Sequence, residues 1–206
     1  MKTVIFASTN KDKLKEIGEI LSSKDIELKT MSEIGFSDEI DENGEDFTDN
    51  ALIKAKAVES YILEKMPEFK DYIVLADDSG LVIDYMGGMP GVQSHRWLGD
   101  RTYPQAMTDV MNEMKDVPDE KRGARFVCAM AACVYGREPL IVKEKVEGMI
   151  NREMRGSEGF GYDPFFYVPE YGCTTAEMTR QQKNEISHRG KAMRAMRDLL
   201  VKENVL

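Results

Sequence analysis

Twelve consecutive residues limit what this chain can fold into more than any others: Tyr72-Ile73-Val74-Leu75-Ala76-Asp77-Asp78-Ser79-Gly80-Leu81-Val82-Ile83. Tyr72–Leu75 is apolar and partly β-branched, which predicts a buried strand, and Leu81–Ile83 is a second apolar run. Between them stand two adjacent carboxylates. Unpaired carboxylates beside a core strand cost several kcal/mol. A divalent cation removes that cost, and Mg²⁺ is held by one or two carboxylates together with substrate phosphates. Asp, Ser and Gly are also turn residues, so a polar β-turn between two short strands explains the same letters. The rest of the chain decides between these readings.

Around this stretch, strand and helix patterns alternate. Thr3–Ala7 reads as a buried strand, and residues 11–22 as a helix with Leu14, Ile17, Ile20 and Leu21 on one face. Asn10 is placed to cap that helix. A strand, a polar loop (Ser8-Thr9-Asn10) and a helix start make an anion site from backbone N–H groups and the helix dipole, with Lys13 one turn in. A capped helix with no ligand explains these residues too, and the glycines of a Walker loop are missing. Ile26–Leu28 suits a short strand. From Glu45 to Lys65, Phe47, Ala51, Ala55, Val58 and Ile62 recur at helical spacing, which leaves Glu42 just ahead of a helix start. Further on come a helix near Pro104–Lys115 and strands at Ala124–Tyr135 and Leu140–Gly148. Thr174-Thr175-Ala176-Glu177 has capping-box spacing, and a final helix turns Met193, Met196 and Leu200 inward. The alternation predicts one α/β domain spanning residues 1–206.

Charge is informative through its distribution. A formal net charge of −9 argues against a general nucleic-acid binder. Residues 38–49 hold seven acids and no base, whereas residues 180–202 hold seven bases. An acidic segment for a metal and a basic one for an anion suit a metal–phosphate substrate, although solvated helix faces carry such charges as well. Three cysteines without C-x-x-C spacing point to a reducing compartment. The apolar run near the start is short for a signal peptide, and no stretch has membrane-spanning length. The expectation is a cytoplasmic protein without membrane or nucleic-acid partners.

Four stretches in this order, Ser8-Thr9-Asn10-Lys11-Asp12-Lys13, Ala76–Leu81, Gly159-Phe160-Gly161-Tyr162-Asp163-Pro164 and Ser187-His188-Arg189-Gly190, resemble the inosine/xanthosine triphosphate pyrophosphatase family. Glu42-Asn43-Gly44 and Asn50-Ala51 fit the same pattern, so the resemblance spans nearly the whole chain. It implies hydrolysis of ITP, dITP and XTP to the monophosphate and pyrophosphate with Mg²⁺. It also implies a long mixed central β-sheet flanked by helices, two lobes around a substrate cleft, and a homodimer.

Carried over residue by residue, the resemblance makes Ser8, Thr9, Asn10, Lys11, Asp12 and Lys13 the triphosphate site, with Asn10 and Lys13 as direct contacts. Glu42 and Asp78 become metal ligands supported by Asp77. Asp78 is also the proton acceptor, and Ser79 touches substrate. Base recognition falls to Phe160, Gly161, Tyr162, Asp163, Lys183, His188 and Arg189. Aromatic rings stack on any base, so identity must be read at base edges. Lys183 and Arg189, or a backbone N–H, would donate to the C6 oxygen of hypoxanthine or xanthine and reject the amino group of adenine. Asp163 is expected at N1–H, in a geometry that leaves no room for the 2-amino group of guanine. Asp49 stands where the family usually has Glu, a supporting rather than a liganding position. His95 is left outside the site, Arg96 is a candidate phosphate contact, and Phe165, Phe166 and Trp97 are assigned to packing. The competing readings are a related nucleotide pyrophosphatase with another base preference and a non-catalytic nucleotide-binding protein.

Overall fold

The computed structural model describes residues 2–21 and 26–206. In chain order the elements are β1 (Lys2–Phe6), α1 (Lys11–Leu21), β2 (Ile26–Thr30), α2 (Phe47–Lys65), β3 (Tyr72–Ile83), α3 (Tyr103–Glu113), β4 (Gly123–Val134), β5 (Leu140–Ile150), β6 (Phe166–Val168), β7 (Cys173–Thr174), α4 (Arg180–Ile186) and α5 (His188–Lys202). The strands form a seven-stranded sheet in the order β2-β1-β3-β4-β5-β6-β7. It is mixed: β1 pairs in parallel with β2 and β3, whereas β6 pairs antiparallel with β5 and β7. The long mixed sheet with flanking helices is therefore the expected α/β architecture. Ser22, the last residue of the helix expected after β1, lies outside the described residues.

Two expectations are corrected. The Asp-Asp-Ser-Gly stretch is no turn: β3 continues through it from Tyr72 to Ile83. Its carboxylates stay in the strand because each finds partners on its own face of the sheet, as the side-chain alternation of a strand requires. Thr174-Thr175-Ala176-Glu177 starts no helix either. The Thr174 N–H does donate to Glu177 Oε2 at 2.7 Å, but it does so at the end of β7. The helical capping box is Thr179 with Gln182, opening α4.

The chain divides into two compact units, one of Met1–Asp78, Cys128–Glu144 and Gly190–Leu206, the other of Ser79–Val127 and Lys145–Arg189. In the first, Val4, Phe6, Ile73, Leu75, Cys128 and Met130 alternate along β1, β3 and β4 onto one sheet face. There they pack with Ile17 and Leu21 of α1 and with Met193, Met196 and Leu200 of α5. α2 serves the other face. Its apolar stripe (Phe47, Ala51, Ala55, Val58, Ile62) is buried, and its Glu59 accepts a hydrogen bond from the Tyr72 hydroxyl at 3.3 Å.

The second unit has its own core, in which Leu81, Ile83, Phe126, Val146 and Ile150 meet Ala106, Met107 and Val110 of α3 and the rings of Phe165 and Phe166. Arg122 is 1% exposed inside it, and its guanidinium donates to the backbone carbonyls of Ile150 (2.8 Å), Met114 and Asn151 (3.1 Å). Arg122→Met fills a similar volume but leaves three carbonyls without donors. The expected loss is about 3 kcal/mol or more, read as a lower urea midpoint.

Candidate active site

In the first unit the carboxylates of β3 point to opposite sides of the sheet and meet different lysines. Asp77 is 1% exposed and accepts from Lys13 Nζ at 3.1 Å, on the side of α1. Asp78, 8% exposed, looks towards α2 and accepts from Asn50 Nδ2 at 3.1 Å. The third acid, Glu42, reaches the same place from the loop before α2. Gly44 allows that loop to press against the helix: its N–H donates to Asn50 Oδ1 at 2.8 Å, and a Cβ there would stand 2.5 Å from Asp49 Cβ. Lys54 Nζ lies between the two acids, 2.6 Å from Glu42 Oε2 and 3.6 Å from Asp78 Oδ1.

Burial pushes the Asp78 carboxyl above the usual carboxylate range, although Lys54, Asn50 and Lys13 pull the other way. Burial also opposes the charge on Lys54, but Asp77, Asp78 and Glu42 together hold its pKa above the ordinary lysine value. A carboxyl with raised affinity for protons suits a general base working near neutrality.

Among the described residues no group of three or more His, Cys, Asp or Glu side chains is arranged to hold a metal ion. The expected pair fits a hard cation nonetheless. Glu42 and Asp78 offer only oxygen, the donor that Mg²⁺ takes, and the ammonium between them shows that the two already share one cation. Asp77, on the opposite strand face, pairs with Lys13 and helps to hold Lys54 charged. Asp49 accepts from the Glu45 N–H at 3.1 Å and holds the loop.

The polar loop after β1 is built as expected around its cap. Asn10 Oδ1 accepts from the N–H groups of Asp12 (2.9 Å) and Lys13 (3.1 Å), and Ser8 Oγ accepts from Asn10 N–H at 3.2 Å. Two of the backbone donors that would have faced an anion are thus engaged by Asn10. Lys11 and Asp12 are exposed, as is Thr9.

The aromatic and basic residues form a second cluster, in the second unit. Phe160 carries Lys183 Nζ 4.7 Å and Arg189 Cζ 5.6 Å from its ring centroid, distances at which cations are attracted to a ring face. Arg189, 3% exposed, also donates to Ser79 Oγ at 3.4 Å. Asp163 organises the group. Its Oδ2 accepts from Phe160 N–H (2.8 Å) and Lys183 Nζ (2.8 Å), and its Oδ1 from Thr175 Oγ1 (2.8 Å). Gly159 is required beside it, with φ at +78° and a Cβ position only 2.2 Å from Asp163 Oδ2.

Several expected residues have partners within the protein. Both oxygens of Asp163 are engaged within the protein and the residue is 4% exposed, which suits an anchor better than a reader of N1–H. Tyr162 is buried in the core. It donates to the Ser94 carbonyl at 2.9 Å and meets Tyr103 edge-on at 4.9 Å. His188 opens α5 and stacks on Phe126 at 5.0 Å. His95 and Arg96 are exposed. Sequence reasoning missed Lys54 and Thr175, and placed Asn50 in the family pattern without giving it a role. Lys54 and Asn50 carried a signal, because a lysine and an asparagine interrupt the buried stripe of α2.

A protein-family comparison matches residues 4–199 to the Ham1 family. A dITP/XTP pyrophosphatase of Bacillus subtilis is 44% identical over 201 residues, covering 97% of this chain and 98% of the relative. One of Clostridium perfringens is 41% identical over 201 residues with the same coverage. A solved HAM1 protein structure from Coxiella burnetii superposes with a TM-score of 0.85 at 36% identity, covering 98% of this chain and 100% of that one. With a match this complete in sequence and fold, the chain belongs to the Ham1 family.

Proposed function

We propose that the protein hydrolyses deaminated purine nucleoside triphosphates (dITP, ITP and XTP) to the monophosphate and pyrophosphate, with Mg²⁺ as cofactor. The reading is carried by the Glu42–Lys54–Asp78 group, in which two carboxylates, Asp78 buried and Glu42 partly exposed, already share one cation. The activity named for the relatives supports it, at identities of 41% and 44%.

In this reading Glu42 and Asp78 hold the metal, which when bound neutralises charge on the phosphoryl oxygens and favours ionisation of water. Lys13 adds positive charge to the triphosphate through N–H donors not directed at Asp77, since an ammonium has three. Ser8 and Thr9 offer hydroxyls to the same tail. Asp78 receives the proton of the attacking water as its oxygen bonds to phosphorus. The bridging P–O bond between the α and β groups breaks, and pyrophosphate leaves with that electron pair. Phe160 supplies a stacking face for the base, and Lys183 and Arg189, both held against that ring, donate to the C6 oxygen. Asp163 keeps Lys183 and the Phe160 backbone in place. The same reading takes the protein to be a cytoplasmic homodimer.

Pyrophosphate release tests it. Release from dITP and XTP is expected with Mg²⁺, to be abolished by a chelator, and to be at least a hundredfold slower from dATP. Equal rates for dITP and dATP, or release of single phosphates, would contradict it.

A further inference from the structure

The lysine at the centre of the acidic group has a consequence for the cation that the group takes. Lys54 is 9% exposed on the inward face of α2, with Nζ within 3.6 Å of both Glu42 and Asp78. A cation engaging both carboxylates has to enter the space that this ammonium fills, and like charges so close in a partly buried site repel strongly. We propose that Lys54 is an internal counter-ion that holds the Glu42–Asp78 pair together in the metal-free protein and competes with Mg²⁺ for it.

This rests on the metal-site reading given above and goes beyond it. Without the ammonium Glu42 and Asp78 would repel one another in a partly buried place, and the Glu42 side chain would lose its ion pair with α2. With the ammonium present, a divalent cation arriving alone gains little, because it must displace a charge that already satisfies both carboxylates. A cation arriving with a triphosphate brings anionic oxygens that can accept the displaced ammonium. Lys54 therefore couples metal binding to substrate binding, and keeps the empty site from being filled by divalent ions alone.

The test uses Mg²⁺ alone, without nucleotide, on the full chain. Thermal melting of the wild-type protein is compared with that of Lys54→Met and Lys54→Gln over a Mg²⁺ titration. Ligand binding to the folded state raises the melting temperature according to the ratio of its concentration to Kd. Both variants are expected to melt lower than wild type without metal and to recover as Mg²⁺ rises, with Kd at least tenfold tighter than for wild type. A Kd unchanged or weaker in both variants would overturn the proposal. So would failure of both to fold with and without Mg²⁺, since the metal should then replace the missing charge. The readout involves no catalysis, so it can fail while pyrophosphate release from dITP stands, and the reverse also holds.

Discussion

Asp78→Asn is expected to lower kcat for dITP by about 10²–10⁴-fold, the range for loss of a positioned acid or base, while leaving the fold at least as stable as before. The two halves of this result have one cause. Burial raises the Asp78 carboxyl above its ordinary range, so the folded protein disfavours the charged form that the reaction uses. For an acid shifted upward, the stabilising contribution is complete below the unfolded value, about pH 4. It is lost as pH rises through the folded value, because the unfolded chain then ionises the group more readily. Asparagine keeps an oxygen to accept from Asn50 and carries no charge at any pH. The variant should therefore gain melting temperature over wild type at pH 8 and lose that advantage near pH 4. Thermal melts at both pH values, beside steady-state rates, check this. A near wild-type rate would remove Asp78 from the chemistry.

The second large effect concerns the base. Lys183→Met is expected to cost about 10²-fold in kcat/KM for dITP with little change for dATP, so that discrimination collapses. A site that loses a buried donor no longer penalises the wrong base edge. The substitution also strands Asp163, whose partner it was at 2.8 Å with both side chains under a tenth exposed. Breaking such a buried pair costs about 3–5 kcal/mol, and poor activity from a poorly folded protein would be uninformative. Asp163→Asn combined with Lys183→Met removes the stranded charge. The double variant should recover most of the stability, seen in urea unfolding, without recovering selectivity. Recovery of selectivity in the double variant would mean that Lys183 acts only as a structural partner of Asp163.

Most strands and helices were legible because their apolar periodicity is strong. The stripe Phe47, Ala51, Ala55, Val58, Ile62 is buried as its spacing indicates, and Asn10 caps α1 as its position indicates. β3 was harder to read because strand patterns assume apolar interiors. Asp77 and Asp78 are held in a central strand by partners far away in sequence, among them Lys13, Asn50 and Lys54. The candidate site was legible as a set of residue types, less so as a division of labour. Phe160, Lys183 and Arg189 do stand together. Tyr162, beside them in the same motif, turns into the core, and Asp163 turns onto its neighbours. No spacing rule separates a residue that faces a ligand from one that braces it when both lie on a glycine-rich turn.

The central proposal is that Glu42 and Asp78 take a divalent cation together with the triphosphate of the substrate. The most direct measurement is a crystal structure with Mn²⁺ and a non-hydrolysable dITP analogue, located by the anomalous signal of manganese. The expected result is a peak bound by Glu42 and Asp78 and by phosphate oxygens of the analogue. Manganese bound elsewhere while the triphosphate is in place would contradict it.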